Sequence, residues 1–324
     1  MTELPALPVI DVRDGGPPAA ARMAERQLHG LLDDAHRLIP SPAFALTDRL
    51  SRQWLVRAQN PYLDEIDAIA AIAGRRGAHT LNVSFEWCCT CGIGEDPGGG
   101  ARLLRVLDWR QPGLGRALIV AWQRGPAGDF ANITWPGFVG VATAMAPGRF
   151  AAALNQAPMR SWRLSLPFDW LIGRAVVWRS QELPPAHLLR SACETCATYD
   201  DAVEMLCRTP LSSPAFFALA GARPGEGCVI ERTEHAFARR DVPVAVANHW
   251  VDLPLRGRPR GRASRQRQAL MEMALAEQGS WAIPPIINPD TRVIAMMNPA
   301  LGLLRVQGWE KNGPVTAELL LESS

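Results

Sequence analysis

The sequence predicts an α+β protein, because segments with strand-like alternation and segments with helical spacing come in separate runs. A helical N-terminal part is followed by a strand-rich stretch, a helical middle and a second strand-rich stretch that one helix interrupts. Hydrophobic residues make up 48% and charged residues 20% of the 324 residues, which is typical of a globular chain with a substantial core. We therefore expect one compact domain behind an N-terminal helical segment.

The N-terminal segment is predicted to be a leader followed by helices. Residues 1–20 are rich in Pro and Gly, which favours an extended leader. Apolar residues recur at helical spacing from Ala20 to Ile39, where prolines follow, and again from Tyr62 to Ala73. The stretch Thr80–Trp87, TLNVSFEW, alternates and carries β-branched residues, so it predicts a strand that runs into the cysteines of WCCTCG.

Later elements follow from short apolar runs between turn-forming residues. Antiparallel hairpins are the natural interpretation of such runs. The predicted strands are ARLLRVLDW, RALIVAWQ, FANITW, GFVGVATAM, AFFALAG, CVIER, VPVAVANHW, RVIAMMN and LLRVQGW. The predicted helices are AHLLRSACETC, DDAVEMLCR and QALMEMALAEQ.

Composition restricts the cellular context and the class of partner. A formal charge of +2 is too small for a bulk attraction to nucleic acid or to anionic membrane. The N-terminus has acidic residues and prolines where a secretory signal would have a basic start and an apolar run, and no segment has the ~18 apolar residues of a membrane span. We expect a cytoplasmic protein whose seven cysteines are thiols rather than a disulfide framework.

The cysteines allow a structural alternative, a zinc site. Cys88 and Cys91 form one CxxC and Cys193 and Cys196 form another, and four thiolates suit tetrahedral zinc. The two pairs lie about 100 residues apart, whereas zinc-binding pairs are usually separated by roughly 12–20 residues. Buried thiols that pack as small hydrophobes are the simpler interpretation of the second pair, as of Cys207 and Cys228.

A catalytic interpretation takes Cys89 as a nucleophile. A predicted strand leads directly into it, and the returning strand ARLLRVLDW carries Arg105 and Asp108 among apolar residues. A buried arginine and a buried aspartate need partners, so a functional site accounts for both together.

Several blocks then carry a resemblance to a known family. Residues 89–109, CTCGIGEDPGGGARLLRVLDW, resemble the nucleophile segment of the acid ceramidase and N-acylethanolamine acid amidase family, relatives of the bile salt hydrolases and penicillin V acylases. Four further stretches resemble family blocks in the same order and with sensible spacing: PYLDEIDAIAAIAG with LNVSFEW, WPGFVGVATAMAPGRFAAALNQ, RTPLSSPAFFALAGARPGEGCVIER, and VANHW. The resemblance spans about residues 60–310.

The resemblance implies a four-layer αββα N-terminal nucleophile hydrolase fold and self-cleavage between Cys88 and Cys89. Cleavage would separate the helical segment 1–88 from a catalytic domain of residues 89–324. A freed α-amine has a reference pKa near ~8, so it can take the proton of the thiol without a histidine. This fits a sequence in which none of the six histidines has an obvious pairing with a cysteine: His29, His36, His79, His187, His235 and His249.

By the same resemblance, Asp108 would orient the α-amino group, and Arg105 would favour the thiolate and position substrate. Asn248 would donate its amide to the oxyanion of the tetrahedral intermediate. An arginine near the start of the helix QALMEMALAEQ would reach the site, and the count along the segment leaves Arg262 and Arg265 as alternatives. The family glutamate after Asn155 is a glutamine here, which puts its role in doubt.

The implied activity is hydrolysis of a linear amide of an N-acyl substrate with an apolar acyl group, through a cysteine thioester and without metal or cofactor. Acyl transfer, or acylase action on penicillin-like, bile-salt-like or N-acyl homoserine lactone substrates, is the enzymatic alternative. We expect transient contact with lipid or membrane and, after cleavage, a heterodimer of the two fragments. Some of the tryptophans that flank the family blocks are candidates to line an acyl pocket: Trp87, Trp109, Trp135, Trp170 and Trp250.

Besides zinc, DNA binding is the other non-enzymatic alternative. The segment Arg256–Arg262, RGRPRGR, has the pattern of an AT-hook, a flat arginine-rich segment that enters a narrow minor groove. One such hook in a chain of near-zero net charge neutralises few phosphates, so we expect no nucleic-acid partner.

Overall fold

A computed structural model describes residues 3–38, 40–84 and 87–322. The helices are α1 (Gly16–Met23), α2 (Glu25–Leu38), α3 (Ser41–Arg57), α4 (Leu63–Ala73), α5 (Ala78–Asn82), α6 (Leu166–Arg179), α7 (Pro185–Thr195), α8 (Tyr199–Arg208) and α9 (Ser264–Glu277). The strands are β1 (Val9–Asp11), β2 (Trp87–Glu95), β3 (Ala101–Trp109), β4 (Ile119–Gly125), β5 (Gly128–Thr134), β6 (Thr143–Ala146), β7 (Phe150–Gln156), β8 (Met159–Arg160), β9 (Ala215–Gly221), β10 (Gly227–Arg232), β11 (Phe237–Asp241), β12 (Val244–Val246), β13 (Gly257–Arg258), β14 (Thr291–Asn298), β15 (Leu303–Glu310), β16 (Gly313–Pro314) and β17 (Leu319–Glu322).

Two large sheets form the centre of the molecule. The first has the strand order β1-β4-β5-β6-β7-β9-β10-β11, and the second has the order β12-β2-β3-β14-β15-β16 with β17 also paired to β15. Neighbours are antiparallel except for the parallel pair of β1 with β4. The sheets face each other, with β2 and β3 packed against β7 and β9. Their inner faces bury one continuous apolar core that includes Ile93, Leu107 and Phe217.

Helices cover the outer faces of both sheets. Helices α7 and α8 pack on the first sheet, and α9 packs on β2 and β12 of the second. The close approach of α9 depends on Gly92, since a Cβ atom there would lie 2.7 Å from Cγ of Met271. The resulting order of layers is helix, sheet, sheet, helix.

The N-terminal segment is built into this body. The expectation of an extended leader over residues 1–20 is wrong for its last part, because α1 begins at Gly16. The part before it is attached to the body of the protein, because β1 adds an edge strand to the first sheet. Val9 pairs with Val120 in that sheet. A buried contact adds to the attachment, with Asn60 Nδ2 lying 2.9 Å from Nδ1 of His187 on α7.

The predicted strand Thr80–Trp87 is also wrong in its first part. Residues Ala78–Asn82 form helix α5, and β2 is described from Trp87 onward; residues 85 and 86 lie outside the described residues. The buried Asp48 carboxylate explains the helix, since it accepts hydrogen bonds from the backbone N–H groups of Gly77 and Thr80 at 2.7 and 2.8 Å. A carboxylate at a helix N-terminus satisfies donors that have no partner within the helix.

The helical run that was predicted to stop at Pro40 and Pro42 does stop there, because α2 ends at Leu38. Helix α3 was not predicted, and Pro42 occupies its first turn, where its missing N–H costs nothing. The predicted strands GFVGVATAM and VPVAVANHW are longer than the observed β6 and β12. Among the described residues, no helix is long and apolar enough to cross a membrane.

Candidate active site

Strand β2 carries the candidate nucleophile and divides its neighbourhood into two faces. Because side chains alternate along a strand, Trp87, Cys89 and Cys91 point into the core between the sheets. Cys88 and Thr90 point to the opposite face, toward α9 and the segment before it. The candidate nucleophile is fully buried, with 0% of Cys89 exposed.

Arg105 lies on the inner face with the thiol. It is paired across the β2–β3 ladder with Cys91 and is 0% exposed. Its guanidinium donates to Leu154 O at 2.9 Å, to Cys91 Sγ at 3.2 Å and to Asn155 Oδ1. Leu154 O also lies 3.8 Å from Cys89 Sγ, so the cation and the thiol share an acceptor.

Burial governs the protonation of the thiols. It raises the pKa of the Cys89 thiol far above its usual range, and the nearby Arg105 charge acts in the opposite direction. Burial likewise raises the pKa of the Cys88 thiol, to about 11. Both thiols are therefore protonated at neutral pH, and a thiolate at Cys89 would need a base to form.

Asn248 contacts the backbone of Cys89 directly. Its Oδ1 accepts the backbone N–H of Cys89 at 2.8 Å, and its Nδ2 donates to Gln156 O at 2.7 Å. Its own backbone N–H donates to Ser264 Oγ at 2.9 Å. The pairing of β12 with β2 explains the contact, because the register Val246↔Cys91 brings the residues after β12 alongside Cys89.

Asp108 occupies the outer face of β3, opposite Cys88. Its carboxylate accepts from Thr291 Oγ1 and from Asn288 Nδ2, both at 2.8 Å. In the intact chain the Cys89 N–H is bound by Asn248 rather than by this carboxylate. Burial raises the pKa of Asp108, and the charge of Arg267 opposes that rise.

The arginine that reaches the site is Arg267. It is 0% exposed and donates to Cys89 O at 2.8 Å, to Thr90 Oγ1 at 2.6 Å and to Asn248 Oδ1 at 3.1 Å. One of its nitrogens also lies 3.7 Å from Asp108 Oδ2.

The two arginines expected from the sequence do not reach this position. The side chains of Arg262 and Arg265 are exposed, and Arg262 contributes only its backbone carbonyl, which accepts from Arg267 Nε at 2.9 Å. Helical spacing was the signal that could have found the correct residue, because Arg267, Met271 and Ala274 share the buried face of α9. Ser264 was also missed, and its role follows only from the contact with Asn248.

Two adjoining pockets lie near the residues that surround Cys89. The inner cavity is lined by Trp87, Leu154 and Pro214 among others. It shares Gln156, Ser213 and Pro214 with an outer cleft, whose wall includes Trp170 on α6. Leu154 is also the residue whose carbonyl oxygen lies 3.8 Å from Cys89 Sγ, so the inner cavity adjoins the surroundings of the buried thiol.

The other tryptophans form core contacts. Trp87, Trp109, Trp135 and Phe138 make an aromatic cluster with ring centroids 5.0 to 6.4 Å apart. Trp250 packs edge-on against Phe216 at 4.9 Å. Of the five candidates, Trp170 contributes to the outer cleft and Trp87 to the inner cavity.

The arginine-rich segment is part of the fold rather than a free arm. Gly257 and Arg258 form β13, which pairs with β8, and Arg258 Nε donates to the Asp169 carboxylate at 3.0 Å. Gly261, with a φ of +69°, lies so close to Cys88 that a Cβ atom would be 2.9 Å from that residue's Cβ. The pairing with β8 and the ion pair of Arg258 therefore fix the middle of this segment against the body of the protein.

The two CxxC pairs lie in different layers. Cys88 and Cys91 belong to β2 of the second sheet, whereas Cys193 and Cys196 lie at the end of α7 against the first sheet. In the ranges that the structure describes, no group of three or more Cys, His, Asp or Glu side chains is placed to hold a metal ion. All seven cysteines are free thiols.

In sequence, the chain is similar to acid ceramidases. It is 30% identical to the acid ceramidase of Bos taurus over 192 residues, which cover 53% of this chain and 47% of that protein. It is 34% identical to that of Heterocephalus glaber over 113 residues, 34% of this chain and 27% of that protein. The chain thus spans about half or less of the length of these curated relatives. No protein-family model matches it.

In structure, the chain is similar to the Caenorhabditis elegans ortholog of N-acylethanolamine-hydrolyzing acid amidase. The TM-score is 0.54 at 20% identity, and the likeness covers 72% of this chain and 100% of that one. At this identity the likeness concerns the fold. It confirms the predicted N-terminal nucleophile hydrolase fold, and the acid ceramidases confirm the resemblance seen in the motifs.

Proposed function

Because the chain has the N-terminal nucleophile hydrolase fold and is a relative of the acid ceramidases, we propose that it is a self-processing cysteine amidase that hydrolyses linear N-acyl amides. One observation carries the proposal. The amide nitrogen that cleavage would free, Cys89 N, is held by Asn248, while the thiol of the same residue lies in the core beside Arg105.

The first step is self-cleavage. The Cys89 thiol loses its proton and attacks the carbonyl carbon of Cys88, the C–N bond between the two residues breaks, and the departing nitrogen takes a proton. The resulting thioester is hydrolysed by water, which leaves a carboxylate on Cys88 and a free thiol and α-amine on Cys89. Residues 1–88 and 89–324 would then be separate chains, and the pairing of β1 with β4 supports their continued association.

Amide hydrolysis uses the same thiol. The new α-amine, with a reference pKa near ~8, takes the proton from Cys89 Sγ, and the sulfur attacks the substrate carbonyl. Collapse of the tetrahedral intermediate expels the amine, which receives the proton from the α-ammonium group. Water then hydrolyses the acyl thioester to the carboxylic acid, and the enzyme returns to its starting state.

Three neighbours support these steps. Asn248 Nδ2 has two hydrogens, of which one is bound to Gln156 O, so a second is left for the oxyanion. Arg105 favours the thiolate through its charge. Arg267, supported by Asp108, holds Cys89 O and Asn248 Oδ1 in fixed positions.

The substrate class follows from the relatives and from the cleft. Acid ceramidase and N-acylethanolamine-hydrolyzing acid amidase are named for N-acyl compounds, which supports an N-acyl amide here. Trp170, Val176 and Val177 in the wall of the outer cleft offer apolar surface for an acyl chain.

Mass spectrometry of the purified protein tests the proposal. Wild type is expected to give two fragments that divide between Cys88 and Cys89 and to hydrolyse N-acyl amides, whereas Cys89→Ala stays one inactive chain. Cys88→Ala is the matched control, because residue 88 contributes only its carbonyl group and should still be cleaved. An unprocessed wild type that hydrolyses amides would rule out the terminal-amine mechanism.

A further inference from the structure

The turn that leads into β14 is folded around the carboxylate of Asp108. This turn comprises residues 288–291, NPDT, and its last residue, Thr291, is the partner of Asp108 in the ladder between β14 and β3. Asn288 Nδ2 donates to one oxygen of the carboxylate and Thr291 Oγ1 donates to the other, both at 2.8 Å. Asp108 is 3% exposed and Thr291 is 0% exposed. Both oxygens of a buried carboxylate are therefore bound by side chains of one short turn.

Hydrogen bonds within the turn orient these two donors. The Thr291 hydroxyl accepts the backbone N–H of Asn288 at 3.0 Å, which leaves its single hydrogen for Asp108. Asn288 Oδ1 accepts the backbone N–H of Asp290 at 3.0 Å, so the amide nitrogen of the same side chain faces the carboxylate. The backbone N–H of Trp109 donates to Asp290 O at 2.7 Å and attaches the turn to the end of β3.

Asp108 lies next to the peptide bond proposed for cleavage. It is paired with Cys88 in the β2–β3 ladder, on the outer face of the second sheet. Arg267 Nη1 donates to Cys89 O at 2.8 Å and lies 3.7 Å from Asp108 Oδ2. One cation thus joins the carboxylate to the backbone of the candidate nucleophile, and a change in the position or charge of Asp108 would be felt there.

The contacts of Asp108 decide its protonation. Burial raises its pKa, whereas the charge of Arg267 and the hydrogen bonds from Asn288 and Thr291 lower it. Hydrogen bonds to an ionised group are stronger than those between neutral groups, so the two donors favour the carboxylate form. Other titratable or charged groups that interact electrostatically with Asp108 are Cys88 and Cys89 on β2, Arg105 on β3, Asp290 in the turn and Arg292 on β14.

We propose that Asn288 and Thr291 are positioning residues of this amidase, which hold Asp108 as an oriented carboxylate for the α-ammonium group of Cys89 that self-cleavage makes possible. The inference rests on the proposed amidase function and adds two residues to its site. Asn248 Oδ1 accepts the one hydrogen of the present amide, whereas an α-ammonium group has three and needs further acceptors. A carboxylate that is already fixed can stabilise this charge without reorganisation.

The first experiment measures the ionisation of Asp108 without relying on activity. In a Cys89→Ala background, Thr291→Val removes one donor, and Asn288→Asp replaces the other by a second carboxylate while keeping an acceptor for the N–H of Asp290. Each change should raise the pKa of Asp108 further, so the folded state keeps a proton that the unfolded state loses above about pH 3.9. The loss in the free energy of unfolding, measured in urea against the Cys89→Ala protein, should therefore grow from about pH 4 toward neutral pH. A loss that is the same at every pH would mean that the turn is only structural.

The second experiment measures function on cleaved protein, with N-dodecanoylethanolamine and N-dodecanoylglycine as substrates. In Thr291→Val and in Asn288→Asp, the acid limb of the pH profile of kcat should move to higher pH by about one unit or more, because the reaction needs the ionised form of Asp108. KM should change little, since the proposed role is in the chemical step. Thr291→Ser keeps the hydroxyl and should keep the wild-type profile.

Two matched controls lie elsewhere in the fold. Asn298, at the other end of β14, is 0% exposed and its Oδ1 accepts the backbone N–H of Leu301 at 3.2 Å, so Asn298→Asp controls for a new buried carboxylate. Thr316 is 3% exposed and its hydroxyl accepts the backbone N–H of Gly308 at 2.9 Å, so Thr316→Val controls for a lost buried hydroxyl. Both controls should leave the acid limb where it is in wild type.

The outcomes separate the two hypotheses. If wild type is not cleaved, or hydrolyses neither substrate, the amidase proposal fails, and the urea experiment still decides whether the turn keeps Asp108 ionised. If wild type is cleaved and active, an unshifted acid limb in both Thr291→Val and Asn288→Asp leaves the amidase in place and overturns the inference. Failure of both variants to fold or to be cleaved, while the two controls do both, would assign the turn to folding or to the cleavage step and would also overturn it.

Discussion

Two buried arginines approach the nucleophile strand from its opposite faces. Arg105 lies between the two sheets with the Cys89 thiol, and Arg267 lies between the second sheet and α9 with the backbone of Cys89. Both are 0% exposed, yet their surroundings differ. Arg267 has a carboxylate 3.7 Å away, that of Asp108, whereas no ion pair joins Arg105 to a carboxylate in the part of the chain that the structure describes.

The difference in their surroundings indicates that Arg105 and Arg267 have different roles. A buried cation without a carboxylate partner acts on whatever anion forms nearby, and the anion that can form on this face is a thiolate. A cation matched by a carboxylate has its charge largely compensated, so its several hydrogen bonds mainly fix geometry. We therefore expect Arg105 to control the reactivity of Cys89, and Arg267 to control the stability and shape of the site.

Removal of Arg267 should have the largest effect on stability. In a Cys89→Ala background, which keeps the chain intact, Arg267→Met should lower the free energy of unfolding by about 3–5 kcal/mol, because it leaves the buried Asp108 uncompensated. Urea denaturation measures this loss. Adding Asp108→Asn should recover a large part of it, and an equal loss in the single and double variants would contradict the charge argument.

The same variant should show a distinct pH dependence. Burial already raises the pKa of Asp108 above its usual value, and loss of the opposing Arg267 charge raises it further. The folded state then retains a proton that the unfolded state loses above the ordinary Asp pKa of about 3.9. The loss in the free energy of unfolding caused by Arg267→Met, measured against the Cys89→Ala protein, should therefore be small near about pH 3.9 and grow toward neutral pH.

Removal of the Arg105 charge should change the reactivity of the Cys89 thiol rather than the stability of the fold. Arg105→Gln should lower the rate of self-cleavage and kcat/KM by roughly 10²–10³, the usual cost of losing one electrostatic group at a reacting centre. Because the Arg105 charge lowers the pKa of the Cys89 thiol, its loss should move the pH profile of cleavage and of thiol alkylation to higher pH. Arg105→Lys keeps the charge and should preserve the profile. An unchanged profile in the glutamine variant would show that Arg105 is only structural.

A smaller effect is expected from Ser264, whose Oγ accepts the backbone N–H of Asn248. Ser264→Ala removes the acceptor of the buried Asn248 N–H, and an unsatisfied donor of this kind costs about 1–3 kcal/mol. The resulting displacement of the Asn248 side chain should lower kcat about tenfold with little change in KM, since its proposed role is to stabilise the transition state. Steady-state kinetics measure both, and Ser264→Thr, which keeps the hydroxyl, should restore kcat. A change in KM alone would assign Ser264 to substrate binding.

The smallest effect should come from Cys91, which shares the inner face with Cys89. Cys91 Sγ accepts a hydrogen bond from Arg105 and donates one to Asn155 Oδ1, each at 3.2 Å. The hydroxyl of Cys91→Ser can make both bonds. We expect less than about a tenfold change in kcat/KM, because side-chain swaps of similar volume cost little. Loss of self-cleavage in this variant would mean that the second thiol takes part in the chemistry.

The sequence was informative where local spacing carries the signal. The motif around Cys89 and the period of two in ARLLRVLDW were enough to select Arg105 and Asp108. The spacing also predicted α4, α7 and α8 close to their observed bounds. It failed at Thr80–Trp87, where alternation indicated a strand but the distant Asp48 caps a helix.

Thus the sequence by itself determined the fold class, the candidate nucleophile and the two polar residues of β3, because these depend on short periodic patterns and on a family motif. Only the tertiary structure decided that Arg267 rather than Arg262 or Arg265 reaches Cys89, 178 residues away along the chain. Only it showed that the arginine-rich segment pairs with β8 and contributes Arg260 to the wall of a cleft. The physical reason is that strand register and helix packing set which distant side chains meet, and neither is encoded in the local spacing of any one segment.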